Sequence, residues 1–363
     1  MLTVDSVVPY LIERGHLTAA DVVERGVEAA DLARRNLNLR VALLDGSRGW
    51  VVKQPDPADP GTQVTLEREA EFYAACAGGP LRAHVPARAG YADRALVLGW
   101  IDGADPLRAR YAAEPEVLAA LGGAVGRALA AIHDPAIAQG AWFAGLPGGP
   151  PWVLDLHRPI PGMLARLSMA NMELIRILQR SEPTCRALDA LRTSWSPAIV
   201  QHGDLKSDNV LVGRSAPWQV AVIDWELVQR GEAAWDVGAI LHDVLLAWIQ
   251  SMPVARGAAD DYVAKAALPL AATRPFVHGL WDGYSAARPG LPAGFLARAV
   301  ACAAGRLLQT AYEATNRVPL IDNHCVALIQ LAINLLADPA EAVHGLLGLA
   351  APRARVLAMV GAR

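Results

Sequence analysis

Apolar and polar positions along this chain fall into two regimes, a short strand-rich stretch and then a long helical one. Thr18 with Asp21 three residues on reads as a helix N-cap, and Leu17 and Val22 are placed to staple across it. The pattern predicts a helix running to about Arg34. Asn36–Leu44 reads as a strand, Asp45–Gly49 as its turn, and Trp50–Lys53 as the returning strand. Three prolines and a glycine between Gln54 and Thr62 predict a loop. Leu66, Glu69, Tyr73 and Cys76 recur at helical spacing, so Leu66–Cys76 is expected to be a helix with one inward face. Arg82–Ala92 looks irregular or partly extended. Ala95–Leu98 reads as a buried strand, and Gly99–Gly103 interrupts it.

From Asp105 onward the period is mostly helical, with a Gly/Pro break at Pro147–Pro151. One island of strand signal remains: Ile199–Val200, Val210–Val212 and Val220–Ile223, the last two joined as a hairpin by Gly213–Pro217. The chain therefore divides into a small first lobe over 1–98, a hinge over 99–103 and a larger lobe over 104–363.

At 363 residues with 53% apolar and 19% charged positions, the chain is long enough for lobes with real cores and shows no bias towards disorder. The formal net charge of -3 supplies no field that would recruit nucleic acid or an acidic membrane surface. Cys76, Cys185, Cys302 and Cys325 form no C-x-x-C pair, so free thiols in a reducing compartment are the simpler reading. Met1–Tyr10 lacks the basic start of a secretory signal, and the apolar runs near Val244–Ile249 and Val326–Ala337 are short for a bilayer. A cytoplasmic protein is expected. Among 33 Lys and Arg residues only Lys53, Lys206 and Lys265 are lysines, which draws attention to each, because the two cations differ at a phosphate site.

The strand island carries His202-Gly203-Asp204-Leu205-Lys206-Ser207-Asp208-Asn209, and Asp224 follows at the end of the next strand. Phosphoryl transfer asks a protein mainly to position charge. A carboxylate orients the attacking hydroxyl, a carboxylate and an amide oxygen hold metal against phosphates, and a cation meets the transferred group. Asp204, Asp224, Asn209 and Lys206 supply that set.

The segment from His202 to Asn209 resembles the catalytic loop of protein kinases. With Gly203 in the second place it is similar to the aminoglycoside phosphotransferase and choline kinase branch. Val222-Ile223-Asp224-Trp225-Glu226 resembles the metal-binding segment of that branch, and Gly231–Asp236 its following G-x-x-x-W-D turn. The likeness covers roughly residues 36–245. It implies an α+β, bilobal protein-kinase-like fold, with a small antiparallel sheet in the N-lobe and a larger, mainly helical C-lobe. It also implies an enzyme that uses ATP or GTP with Mg²⁺. Lys53 would contact the α- and β-phosphates and Glu69 would pair with it. The Gly99 carbonyl and Ile101 N–H would hold the base. Asp204 would be the catalytic base, Lys206 would steady the γ-phosphate, and Asn209 and Asp224 would bind Mg²⁺. The sequence departs from the kinase pattern in lacking a G-x-G-x-x-G loop, whose place Arg35–Arg40 takes, and in having Glu226 where D-F-G has glycine. Activation-loop control is not expected.

His202, Asp236 and His242 read as supports of the catalytic loop, His133 as a helix cap or loop anchor, and Trp100 as a candidate to stack on the nucleotide. For the acceptor, a polycationic aminoglycoside calls for an acidic groove. From Leu241 to Arg363 there are eight acids and ten Lys/Arg, so no acidic excess exists. A less charged small-molecule hydroxyl is the first expectation. A Ser/Thr kinase of a peptide, as in peptide natural-product maturation with a partner lyase, is the second. A noncatalytic kinase-fold scaffold is the third.

Overall fold

The computed structural model describes residues 1–32, 37–164, 167–253 and 259–349. Helices α1 (Val4–Glu13) and α2 (Ala19–Arg25) open the chain, followed by strands β1 (Val27–Asp31), β2 (Leu37–Leu43) and β3 (Gly49–Gln54). Helix α3 (Gly61–Cys76) comes next, then β4 (Arg88–Ala92) and β5 (Ala95–Gly99). The five strands form one antiparallel sheet in the order β1-β2-β3-β5-β4, with β3 at its centre.

One face of this sheet packs on α1. Val7, Tyr10, Leu11 and Leu17 close over Leu39, Val41, Trp50, Val52 and Val97, a core separate from the main one. The opposite face receives α3, whose Leu66, Glu69, Tyr73 and Cys76 are all buried, as their spacing predicts.

Three features of this lobe differ from the sequence reading. The helix begun at Thr18 stops at Arg25, because Gly26 adopts φ 69°, and the chain turns into β1. Arg34 and the first two residues of Arg35–Arg40 lie outside the described residues. Helix α1 was not foreseen, and the stretch read as irregular or partly extended resolves into a regular edge strand, β4, with a bulge between Arg88 and Gly90.

The second lobe begins with β6 (Ala104–Pro106) and continues through α4 (Pro115–Ile132), α5 (Gly140–Ala144), α6 (Pro161–Leu164), α7 (Met169–Gln179) and α8 (Glu182–Thr193). Four short strands follow: β7 (Ile199–Gln201), β8 (Val210–Gly213), β9 (Val220–Val222) and β10 (Gln229–Gly231). The predicted hairpin is β8–β9, with β6 added on its other side. Strand β7 pairs instead with β10. Helices α9 (Ala233–Gln250), α10 (Ala259–Ala264), α11 (Leu270–Ala287), α12 (Phe295–Ala314), α13 (Asn323–Ala337) and α14 (Pro339–Gly345) complete the lobe.

Among the described residues α4 alone is long and apolar enough by composition to cross a membrane, and most of it is buried inside the lobe. It lies against α11 at glycine contacts. A Cβ on Gly122 would stand 2.1 Å from the Phe276 carbonyl oxygen, and one on Gly126 2.3 Å from that of Leu280. The helix is apolar all round because it is the spine of the lobe.

Candidate active site

A cavity of about 480 Å³ opens between the five-stranded sheet and the β8–β9 hairpin. Its walls include Val51, Lys53, Leu98, Gly99, Trp100 and Ile101 on one side. Asn209, Leu211, Ile223 and Asp224 line the other. Six of the eight residues singled out in the sequence therefore meet at or beside one space. Glu69 touches it through Lys53, and Asp204 and Lys206 lie on the His202–Asn209 loop that leads into it.

Lys53 sits on the central strand, buried to 5% exposure. Its Nζ lies 2.8 and 2.7 Å from the two Glu69 carboxylate oxygens and 2.7 Å from Asp224 Oδ1. Burial works to lower the Lys53 pKa, but the two carboxylates outweigh it and the ammonium is held above its ordinary value. Burial raises the pKa of Glu69 despite the opposing Lys53 charge. At Asp224 burial pushes upward, and the Lys53 ammonium with its hydrogen bond overcomes this to leave the carboxyl below its usual value. Asp224 takes a left-handed backbone, φ 68° and ψ 60°, at the turn out of β9.

The next residue fastens this turn to the small lobe. Glu69 Oε1 accepts from the Trp225 N–H at 3.1 Å, and the Trp225 indole stacks on Phe72 of α3 at 4.0 Å between centroids. Its Nε1–H donates to the Val222 carbonyl at 2.9 Å. Trp225 thus couples α3 to the Asp224 turn.

The His202–Asn209 loop is held from several directions. Asp236 Oδ2 accepts from the His202 N–H at 2.9 Å and contacts His133 Nε2 at 3.3 Å. His133 caps α4, and its Nδ1 lies 3.0 Å from the Tyr284 hydroxyl. His202 Nε2 donates to the Ile223 carbonyl at 2.9 Å, while its Nδ1 accepts from the Asp204 N–H at 3.3 Å. Burial lowers the His202 pKa against the pull of Asp236, which suits this neutral, two-way role. Asp243 of α9 accepts from the Ser207 N–H at 3.0 Å and the Tyr111 hydroxyl at 3.2 Å. His242 does not support the loop directly, since its Nε2 meets Thr310 Oγ1 at 2.9 Å. Gly203 is required by geometry: φ is 84°, and a Cβ would come within 2.3 Å of the Leu227 carbonyl oxygen.

Asp204 itself is ringed by cations. Lys206 Nζ donates to Oδ2 at 2.6 Å, and Arg306 Nη2, arriving from α12, donates to Oδ1 at 3.4 Å. Asn209 Nδ2 donates to the Asp204 backbone carbonyl at 3.0 Å, which leaves the amide oxygen as the free end. Arg306 was not found in the sequence. No local spacing ties a residue of α12 to a loop 102 positions earlier.

The donor set suits a hard divalent ion. One carboxylate, Asp224, and one amide oxygen, Asn209, line the same cavity, and Mg²⁺ binds through one or two such groups together with phosphates and water. Among the described residues no cluster of three or more His, Cys, Asp or Glu side chains forms a closed metal cage.

At the other end, the Gly99 N–H donates to the Ala87 carbonyl at 2.7 Å and the Trp100 N–H to that of Gly49 at 2.9 Å. Trp50 and Gly99 are consequently a non-hydrogen-bonded pair, so the Gly99 carbonyl is not committed to Trp50. The Trp100 ring carries the Arg40 guanidinium at 4.8 Å.

A two-lobed protein-kinase-like fold with these acids, amide and lysines around one cleft defines a phosphotransferase that acts on hydroxyl groups. Residues 28–279, well over half of the chain, match the model of the phosphotransferase enzyme family, and the chain belongs to that family. Solved structures repeat the fold at low identity. A choline kinase from Cryptosporidium parvum superposes with a TM-score of 0.54 at 11% identity, covering 91% of this chain and 95% of that one. An ethanolamine kinase from Plasmodium vivax gives 0.53 at 12%, covering 91% and 87%. The aminoglycoside phosphotransferase APH(2'')-IIa, solved with streptomycin and ATP, gives 0.51 at 14%, covering 92% and 97%. No curated protein sequence matches this chain.

Proposed function

We propose that this enzyme transfers the γ-phosphoryl group of ATP or GTP, with Mg²⁺, to a hydroxyl of a small-molecule acceptor. The observation that carries the reading is the Lys53 ammonium held between Glu69 and Asp224 at 2.7–2.8 Å, in the wall of a cavity that also contains Asn209. A buried lysine fixed by two carboxylates is a preorganised phosphate contact.

In this reading 1–98 is the nucleotide-binding lobe, 99–103 the hinge, and 104–363 the catalytic and acceptor lobe. The Gly99 carbonyl and Ile101 N–H take the edge of the base, and Lys53, steadied by Glu69, takes the α- and β-phosphates. Asn209 and Asp224 hold Mg²⁺, which when bound offsets charge on the β- and γ-phosphates. Asp204 accepts the proton of the acceptor hydroxyl as its oxygen bonds to the γ-phosphorus. The bond from that phosphorus to the bridging oxygen breaks, and the electron pair leaves with the nucleoside diphosphate. Lys206 meets the transferred group.

The balance of acids and bases after Leu241 favours an acceptor that is not a polycation. The four free cysteines and the need for nucleotide suit the cytoplasm.

The test is calorimetric titration of Mg²⁺-ATP and Mg²⁺-GTP into the wild type, Lys53→Ala and Asp224→Ala. Saturable, Mg²⁺-dependent binding weakened by both substitutions is expected. A folded wild type that binds neither nucleotide would overturn the reading. Acceptor screening follows with Asp204→Ala as the inactive control, and turnover with Ser/Thr peptides alone would move the acceptor to that class.

A further inference from the structure

We propose that Arg306 is a positioning residue that fixes which oxygen of Asp204 takes the acceptor proton. The inference rests on the reading of Asp204 as base. The two carboxylate oxygens have different partners. Oδ1 faces Arg306 at 3.4 Å and Oδ2 faces Lys206 at 2.6 Å. Those partners differ in freedom. The Lys206 side chain is 40% exposed on the loop, whereas that of Arg306 is 7% exposed in the body of α12. Arg306 is further tied by Nη1 to Gln309 Oε1 at 3.1 Å, and Gln309 in turn donates to Glu313 at 2.9 Å.

The Lys206 ammonium has three donors and in this reading divides them between Oδ2 and the transferred phosphoryl group. Its hold on Oδ2 therefore loosens as it reaches the phosphate, while Arg306 keeps Oδ1 and with it the carboxylate rotamer. Oδ2 then receives the hydroxyl proton, and Oδ1 carries the remaining charge against the guanidinium. The surroundings support a single fixed cation here. Among the described residues, the charged or titratable side chains that contact Asp204 are Lys206 and His202 from its own loop and Arg306 from α12. His242 of α9 acts on Arg306 from behind, and burial with the nearby guanidinium drives its pKa down to about 3, so it adds no second charge.

The arrangement is not free of cost to the fold. Arg306 Nε is buried with no hydrogen-bond partner among the described residues. A buried donor left unpaired is costly to the fold, and an apolar side chain of similar length would avoid that cost. A residue that taxes the fold while touching the base points to a role in the reaction.

The experiment uses the full chain with Mg²⁺-ATP as probe and water as the acceptor, reading release of ADP and phosphate. Wild type, Arg306→Met, Arg306→Lys, Asp204→Asn and the double variant Asp204→Asn/Arg306→Met are compared. Nucleotide Kd comes from calorimetry and stability from urea unfolding. Arg306→Met is expected to lower kcat roughly 10- to 100-fold, the scale of a misplaced reacting group. Its KM and Kd for nucleotide should stay at the wild-type values and its unfolding midpoint should be no lower. Arg306→Lys should recover part of the loss, and Arg306→Met should have no further effect in the Asp204→Asn background. Additive losses in the double variant, or a fall in stability or nucleotide affinity that tracks the fall in turnover, would overturn the proposal. So would wild-type kcat in Arg306→Met alongside an impaired Asp204→Asn. Wild-type turnover in Asp204→Asn would instead remove the base assignment, and this inference with it.

Discussion

Acid should begin to destabilise this protein through His242 as the pH falls below about 6.5. The imidazole is buried to 3% exposure between α9 and α12, with Nε2 on Thr310 Oγ1 at 2.9 Å. Burial, and then the Arg306 guanidinium, lowers its pKa from the usual 6.5 to about 3. The sign follows from proton counts. Between those two values the unfolded chain binds a proton at this position and the folded chain does not, so stability is complete above about pH 6.5 and falls as pH drops towards 3. Each pH unit in that window removes up to about 1.4 kcal/mol, so the fall to about pH 4.5 costs on the order of 3 kcal/mol. Urea unfolding of wild type and His242→Gln, run from about pH 8 to about pH 4.5, isolates the effect. Glutamine can still donate to Thr310, and its steric cost does not vary with pH. His202, also lowered by burial, is present in both proteins and cancels. The wild type should lose roughly 3 kcal/mol more than the variant over this range. Parallel stability curves would refute the reasoning, because they would mean His242 binds its proton equally well folded and unfolded.

Two further outcomes follow from contacts in the cleft. Gly203→Ala should destabilise the protein by at least about 1–2 kcal/mol from its left-handed backbone alone, with more from a Cβ that would sit 2.3 Å from the Leu227 carbonyl oxygen; a change within about 0.5 kcal/mol in chemical denaturation would show that the loop relaxes freely. Glu69→Gln leaves the buried Lys53 with one carboxylate in place of two, and breaking such a pair costs about 3–5 kcal/mol. Stability and Mg²⁺-ATP affinity should both fall, and retention of both would show that Asp224 alone is a sufficient partner.

What the sequence revealed was local. Strand β3 carries Lys53 and α3 turns Glu69 inward because periods of two and 3.6 select a face, and these choices need only neighbouring residues. The loop from His202 to Asn209 was legible for the same reason: the Gly203 turn, the Asp204 carboxylate and the Asn209 amide all fall within a few residues. The helix read through to Arg34 failed where two local signals competed. Val27, Ala29 and Ala30 continue an apolar helical pattern, but Gly26 at φ 69° ends the helix, and pairing with β2 stabilises the extended form. Helix α1 was missed because it is defined by what it covers, the outer face of a sheet formed by residues from 27 onwards.

The residues that escaped notice are those whose meaning comes from contacts across the fold. Trp225 could be read as core, yet its N–H and its ring bind the Asp224 turn to α3, a link that exists only once the lobes meet. Arg306 was harder still, for a compositional reason. All but three of the 33 Lys and Arg side chains are arginines, so an arginine in this chain carries almost no signal, whereas a lysine does. Two of those three lysines, Lys53 and Lys206, hold carboxylates in the cleft. Where arginine is the default surface cation, a functional arginine is distinguished only by departing from surface behaviour: Arg306 is buried, one of its donors is unpaired, and it faces the carboxylate proposed as base. Burial against expectation, more than residue type, is the signal that finds it.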